Sequence, residues 1–99
     1  MIAKLARYRV KPDKQDEVVS VVEEFVKTVK ESEPNTLRYT AYRLEDGVSF
    51  MHIMYFKDEE AEEHHQGTDY LKKFTKLLHP NCEEEPQFVT IAPVPAHYL

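Results

Sequence analysis

A chain of 99 residues has room for one domain and one modest core. Its composition, 41% apolar and 31% charged, excludes a disordered or membrane-embedded chain, and its net charge of -5 argues against sequence-independent binding of nucleic acid, which depends on phosphate neutralisation. The single cysteine, Cys82, excludes an internal disulfide, and without a signal-like apolar segment at the start the expected location is cytoplasmic.

Ile2 to Val10 reads as a first strand, with Ile2, Ala6, Tyr8 and Val10 on one face and Ala3, Leu5, Arg7 and Arg9 on the other. Lys11-Pro12-Asp13 breaks it, and Asp13 is placed as the N-cap of a helix whose first turn carries Asp16 and Glu17. Val18, Val22, Phe25, Val26 and Val29 then recur at helical spacing opposite Glu23, Glu24, Lys27 and Lys30, which predicts an amphipathic helix ending before Pro34. Valine is a poor helix former in isolation, so docking on a sheet must hold this helix. Thr36 to Leu44 is a second strand, Glu45-Asp46-Gly47 a hairpin turn, and Val48 to Phe56 a third strand. A short acidic helix follows from about Asp58 to Gln66, with a break at Gly67. A second helical piece, capped by Thr68, carries Tyr70, Leu71, Phe74, Leu77 and Leu78 on one stripe and stops at Pro80. Gln87 to Ala92 is a last short strand, and the proline-broken stretch from Pro93 to Leu99 is an extended tail.

The order β-α-β-β-α-β defines one α+β domain over residues 1–99, of the ferredoxin-like, split β-α-β type. Its antiparallel sheet carries both helices on one face. The third strand is apolar on both sides: Val48, Phe50, Met54 and Phe56 share one face with His52, and Ser49, Met51, Ile53 and Tyr55 the other. Two helices cover only one face. The other, with Leu5, Met51, Ile53, Tyr55 and either Val89 or Ile91, would expose an apolar patch of roughly several hundred Å2, enough to imply a partner. A second copy of the chain, packed sheet to sheet, is the expected cover.

Lys11-Pro12-Asp13-Lys14 and Pro34-Asn35-Thr36-Leu37-Arg38-Tyr39 resemble the KPGK and PGCLRYEL stretches of the antibiotic biosynthesis monooxygenase superfamily. Asp58-Glu59-Glu60-Ala61, with His65 and Thr68, resembles its D-x-x-A-x-x-x-H-x-x-T segment, and the likeness runs from Ile2 to about Ala92. The resemblance implies a dimeric α+β barrel with a pocket between helices and sheet in each subunit. It also implies a choice among cofactor-free oxygenases of quinols and anthrones, haem-degrading enzymes and proteins of no assigned reaction. This chain departs from the pattern at the E-x-W of the third strand, where Met54 and Phe56 stand. The inward asparagine of the anthrone oxygenases falls on His52, and the haem-ligating histidine falls near Thr75, so haem degradation is not expected.

His52 is the sharpest candidate for chemistry. A neutral imidazole there could take a proton from a phenolic or quinol substrate and leave an anion able to react with O2. The competing reading is a half-buried strand histidine hydrogen-bonded to Tyr39, Tyr42 or a backbone carbonyl. His65, one turn after Ala61, is expected to face inward as a second candidate base or a packing residue, while His64 sees solvent. Tyr8, Tyr39, Phe50, Phe56 and Phe74 are the expected substrate-binding wall. No metal site is expected, because His79 and Cys82 lack a second ligand pair and Glu83-Glu84-Glu85 reads as a solvated turn. With two glycines in the chain there is no phosphate-cradling loop and no nucleotide or flavin fingerprint. The leading expectation is a cofactor-independent monooxygenase of a small aromatic or quinol-like molecule. The alternative is a non-catalytic dimeric module that binds a small hydrophobic ligand.

Overall fold

Alternation along the third strand decides the architecture. In a computed structural model, which describes residues 1–92 and 94, four strands form one antiparallel sheet: β1 (Ile2–Arg9), β2 (Thr36–Arg43), β3 (Ser49–Phe56) and β4 (Gln87–Ile91), in the order β2-β3-β1-β4. The helices are α1 (Gln15–Ser32), α2 (Glu59–Gln66) and α3 (Asp69–Leu78). The arrangement is α+β and ferredoxin-like, and the second helical region is indeed two helices broken at Gly67.

Register puts Tyr8 opposite Phe50, Ala6 opposite His52 and Ile2 opposite Phe56, so the even-numbered residues of β1 and β3 face the helices together. From above, α1 packs Val18, Val22, Phe25 and Val29 onto this face, and α3 contributes Phe74 and Leu78. On the opposite face Leu5 lies between Ile53 and Val89, and Ala3 between Tyr55 and Ile91. Both Val89 and Ile91 therefore belong to the uncovered face. No helix of the described residues is long and apolar enough to cross a membrane.

Local chemistry fixes the connections. At the β2–β3 turn Gly47 has φ +80, a left-handed backbone that suits glycine. Beside it the Asp46 carboxylate accepts from the Val48 and Ser49 N–H groups and from the Ser49 hydroxyl. Asp58 caps α2 by accepting from Ala61 N–H at 2.9 Å, and the Thr68 hydroxyl caps α3 by accepting from Leu71 N–H.

One expectation needs correction. Asp13 is not the cap of α1: Pro12–Lys14 form a 3-10 turn, Lys14 occupies the N-cap position, and no side chain caps it. Pro12, with φ already fixed near the helical value, starts the turn early and carries Asp13 past the capping position. Within the apolar stripe of α3, Phe74 and Leu78 are buried against α1 while Leu77 stays 46% exposed. Ala3, assigned to the open face, is buried all the same, since a small side chain between Tyr55 and Ile91 is covered by its neighbours. The expected tail over residues 93–99 lies outside the described residues apart from Val94.

Candidate functional site between helices and sheet

Strand parity brings the aromatic and imidazole side chains into one continuous cluster. Tyr8 stacks on Phe50 with centroids 5.4 Å apart and meets His52 edge-on at 5.3 Å. His52 in turn lies 5.6 Å from Tyr39 and 6.1 Å from Phe74. Phe74 stacks on Phe25 of α1 at 4.2 Å. At the far end His65 lies 5.2 Å from Phe56 and 5.7 Å from Tyr39. All seven residues singled out in the sequence thus join one network, with Phe25 as an eighth member.

His52 is 1% exposed, and both of its ring nitrogens are engaged. Nε2 lies 2.8 Å from the Tyr8 hydroxyl and Nδ1 2.9 Å from the Tyr39 hydroxyl. Burial pushes its pKa down to about 4, so at neutral pH the ring is uncharged. An uncharged imidazole donates from one nitrogen and accepts at the other, so one tyrosine donates to the ring and the other accepts from it. Burial likewise raises both phenols above the ordinary range, Tyr8 with a further push from Tyr39 and Tyr39 with one from Glu33.

His65 is 2% exposed and has a different partner. Its Nδ1 lies 2.9 Å and 3.0 Å from the two carboxylate oxygens of Glu33, which is itself buried at the C-terminal end of α1. That carboxylate also accepts from the Thr36 hydroxyl at 2.7 Å and from the Tyr70 hydroxyl. Burial alone would raise the pKa of Glu33, but the hydrogen bonds from Tyr70, Thr36 and His65 outweigh it and the pKa is lowered. An ionised carboxylate only accepts, so Nδ1 of His65 carries a proton. His64, on the adjacent helix position, is exposed, as helical geometry requires.

Glu33 and Tyr70 were missed in the sequence as site residues. A signal existed: a carboxylate at the last turn of a helix opposes the helix dipole, and Glu33 stands there just before Pro34. Its partners lie 32 and 37 residues further along the chain, beyond any local pattern.

Four grooves reach the cluster from outside or lie beside it, and neither His52 nor His65 lines any of them. The largest, about 620 Å3, runs between α1 and the edge strand β2 and has Tyr39 and Phe50 in its wall. One of about 200 Å3 between α1 and α3 touches Phe25, Tyr70 and Phe74, and one of about 500 Å3 reaches Glu33. Among the described residues no group of three or more histidine, cysteine or acidic side chains is arranged to hold a metal.

The fold and the buried pair of imidazoles under a two-helix cover define a ferredoxin-like domain with its polar groups gathered on the helix side. The chain belongs to the antibiotic biosynthesis monooxygenase family, which it matches over residues 1–77. Among solved structures, an antibiotic biosynthesis monooxygenase superposes with a TM-score of 0.87 at 23% identity, over 96% of this chain and 100% of that one. A Caulobacter crescentus protein described under the same family name gives 0.87 at 26% identity, over 94% and 89% of the two chains. A Mycobacterium tuberculosis protein gives 0.86 at 15% identity, over 98% of each. No curated protein matches the sequence.

Proposed function

We propose that this protein is a dimeric, cofactor-independent monooxygenase of a small aromatic, quinol-like molecule, with His65 as the general base and Glu33 as the residue that positions it. The observation that carries this reading is the Glu33–His65 contact: a buried carboxylate fixes the proton on Nδ1 and leaves Nε2 as the acceptor. His52 is a poor base. With its pKa near 4, taking a proton from a phenol of ordinary pKa ~10 is uphill by about 8 kcal/mol before any ion pairing. Its role in this reading is to hold the Tyr8 and Tyr39 hydroxyls. Substrate approaches along the α1–β2 groove and meets the cluster at Tyr39 and Phe50. Once deprotonated, the electron-rich ring is itself the reductant of O2: a ring carbon exchanges its C–H for a bond to one oxygen atom, the O–O bond breaks, the second oxygen leaves as water, and the substrate supplies all four electrons in becoming a quinone.

The test is oxygen uptake by purified protein, free of metal and flavin, against a panel of quinols and hydroxynaphthalenes. Turnover that survives His65→Ala unchanged rules out the proposed base. One observation favours a second reading, the non-catalytic binding module: neither imidazole lines any of the four grooves. A ligand that binds in the α1–β2 groove with no oxygen uptake under any condition selects that reading.

Dimerisation through the sheets is supported by the row Leu5, Met51, Ile53, Tyr55, Val89 and Ile91, only part of which its own side chains shield. Sedimentation should show a dimer at micromolar concentration, and Ile53→Lys, which places a charge at the centre of the row, should shift it to monomer. A wild-type monomer under the same conditions removes the proposal.

A further inference from the structure

Since neither imidazole lines any of the four grooves, a ligand that is to meet one must first displace a side chain. Two members of the aromatic network, Tyr39 and Phe50, stand in the wall of the α1–β2 groove, and they are held very differently. Phe50 is 3% exposed, stacks on Tyr8, and lies on β3 with a paired strand on either side. Tyr39 lies on the edge strand β2 and is only partly buried. Its ring meets Phe25 edge-on at 5.5 Å, and its hydroxyl ends on His52 Nδ1 at 2.9 Å. The same ring lies 5.6 Å from His52 and 5.7 Å from His65, so it stands against both imidazoles. Two residues along β2, Ala41 pairs with His52 and also lines the groove. That position sets only a methyl between groove and imidazole, which leaves Tyr39 as the side chain that closes the way.

We propose that Tyr39 is the gate of the cluster and that its hydroxyl holds the place of a ligand's: a phenol entering by the groove turns the Tyr39 ring aside and sets its own hydroxyl on His52 Nδ1. The exchange conserves the bonding. A phenolic hydroxyl both donates and accepts, so the incoming one satisfies Nδ1 whichever tautomer the imidazole holds. One buried hydrogen bond forms for the one that breaks, and the displaced Tyr39 hydroxyl is returned to water. An aromatic molecule without a hydroxyl breaks the Tyr39 contact and leaves Nδ1 buried and unpaired. Tyr39 thereby sets specificity, admitting hydroxylated rings and excluding bare hydrocarbons. Until such a ring arrives, the chain from Tyr8 through His52 to Tyr39 stays closed. The inference deepens the proposed oxygenase and rests on that reading for its link to catalysis, since the ring that uncovers His52 also uncovers His65, but binding at His52 requires no turnover.

The experiment uses the whole protein, isotope-labelled in its histidine and tyrosine rings and followed by NMR, with 2-naphthol and naphthalene as probes. 2-Naphthol should move the His52 Nδ1 and Tyr39 ring resonances together, and naphthalene should bind at least about 10-fold more weakly. Tyr39→Phe separates a gate from a wall. A wall that loses its hydroxyl binds no better, whereas a gate with no hydrogen bond to break in the free protein should take 2-naphthol about 5-fold more tightly. Ala41→Leu, which fills the way beside the gate, should weaken 2-naphthol about 10-fold and erase the His52 shift. Absence of binding, equal affinity for naphthalene, or unchanged or weaker binding by Tyr39→Phe overturns the inference. So does a His52 resonance that stays in place in the wild type or still moves in Ala41→Leu. A His52 response with no oxygen uptake on any quinol upholds the gate and removes the oxygenase. Oxygen uptake by a chain whose His52 resonance never moves does the reverse.

Discussion

His52 and His65 are sealed from solvent to nearly the same degree, yet they sit in two opposite settings. His52, on the central part of β3, is bracketed by two phenols and has no charge to lean on. His65, on α2, leans on a carboxylate that three donors keep ionised. Burial alone does not decide what a histidine does; the group on its far nitrogen does. A phenol–imidazole–phenol chain is a fixed, uncharged strut, while a carboxylate–imidazole pair can accept a proton and stabilise the cation that results.

The largest effect that could break this contrast is on rate. In the proposed oxygenase, His65→Ala should lower turnover by about 10²- to 10⁴-fold, whereas His52→Gln should lower it far less, measured as oxygen uptake on the same substrate. The reverse order would exchange the two roles. Next comes the pH dependence of stability. The unfolded chain binds a proton at His52 near the ordinary value of 6.5, and the folded chain refuses it until about 4. Between those values the unfolded state holds more protons, so stability falls as pH falls, by about 3 kcal/mol in total. Urea unfolding across that window should show the slope, and His52→Gln should flatten it.

Glu33 sharpens the contrast from the other side. Its native pKa is lowered from 4.5, so its contribution is complete above that value and disappears as pH falls through the lower native one. Glu33→Gln should erase this more acidic part of the profile while keeping the His52 slope, and should cost about 1–3 kcal/mol at neutral pH for the hydrogen bonds left imperfect. The smallest effect is expected from Tyr8→Phe. It removes one hydroxyl from His52 at a cost of about 1 kcal/mol, read as a shift in the urea midpoint, and leaves the His65 pair untouched.

Much of this architecture was legible because it is written in local periods. Alternation in Ser49–Phe56, the Asp46-Gly47 turn and the Thr68 cap each follow from a few adjacent residues. The seven aromatic and histidine positions share a cluster for the same reason, since parity on β1 and β3 and spacing on α2 and α3 determine which way they face. What could not be read depends on distance or on volume. Glu33 meets His65 and Tyr70 only after the sheet has formed, and no short window contains the three. Whether the inward face encloses a cavity depends on how completely Phe25, Phe56 and Phe74 fill it, which is a matter of packed volumes and not of pattern.

The strand order has a consequence for how the chain is born. β1 is the first strand synthesised, yet its neighbours in the sheet are β3 and β4 and never β2. During synthesis from the N-terminus it must therefore wait, unpaired, until Ser49–Phe56 has left the ribosome, whereas β2 and β3 can close through their short turn at once. A nascent chain arrested before β3 would carry α1 and an apolar strand with nothing to rest on, a species that a chaperone should capture. Arrest after residue 91, with enough further linker to clear the exit tunnel, should release it.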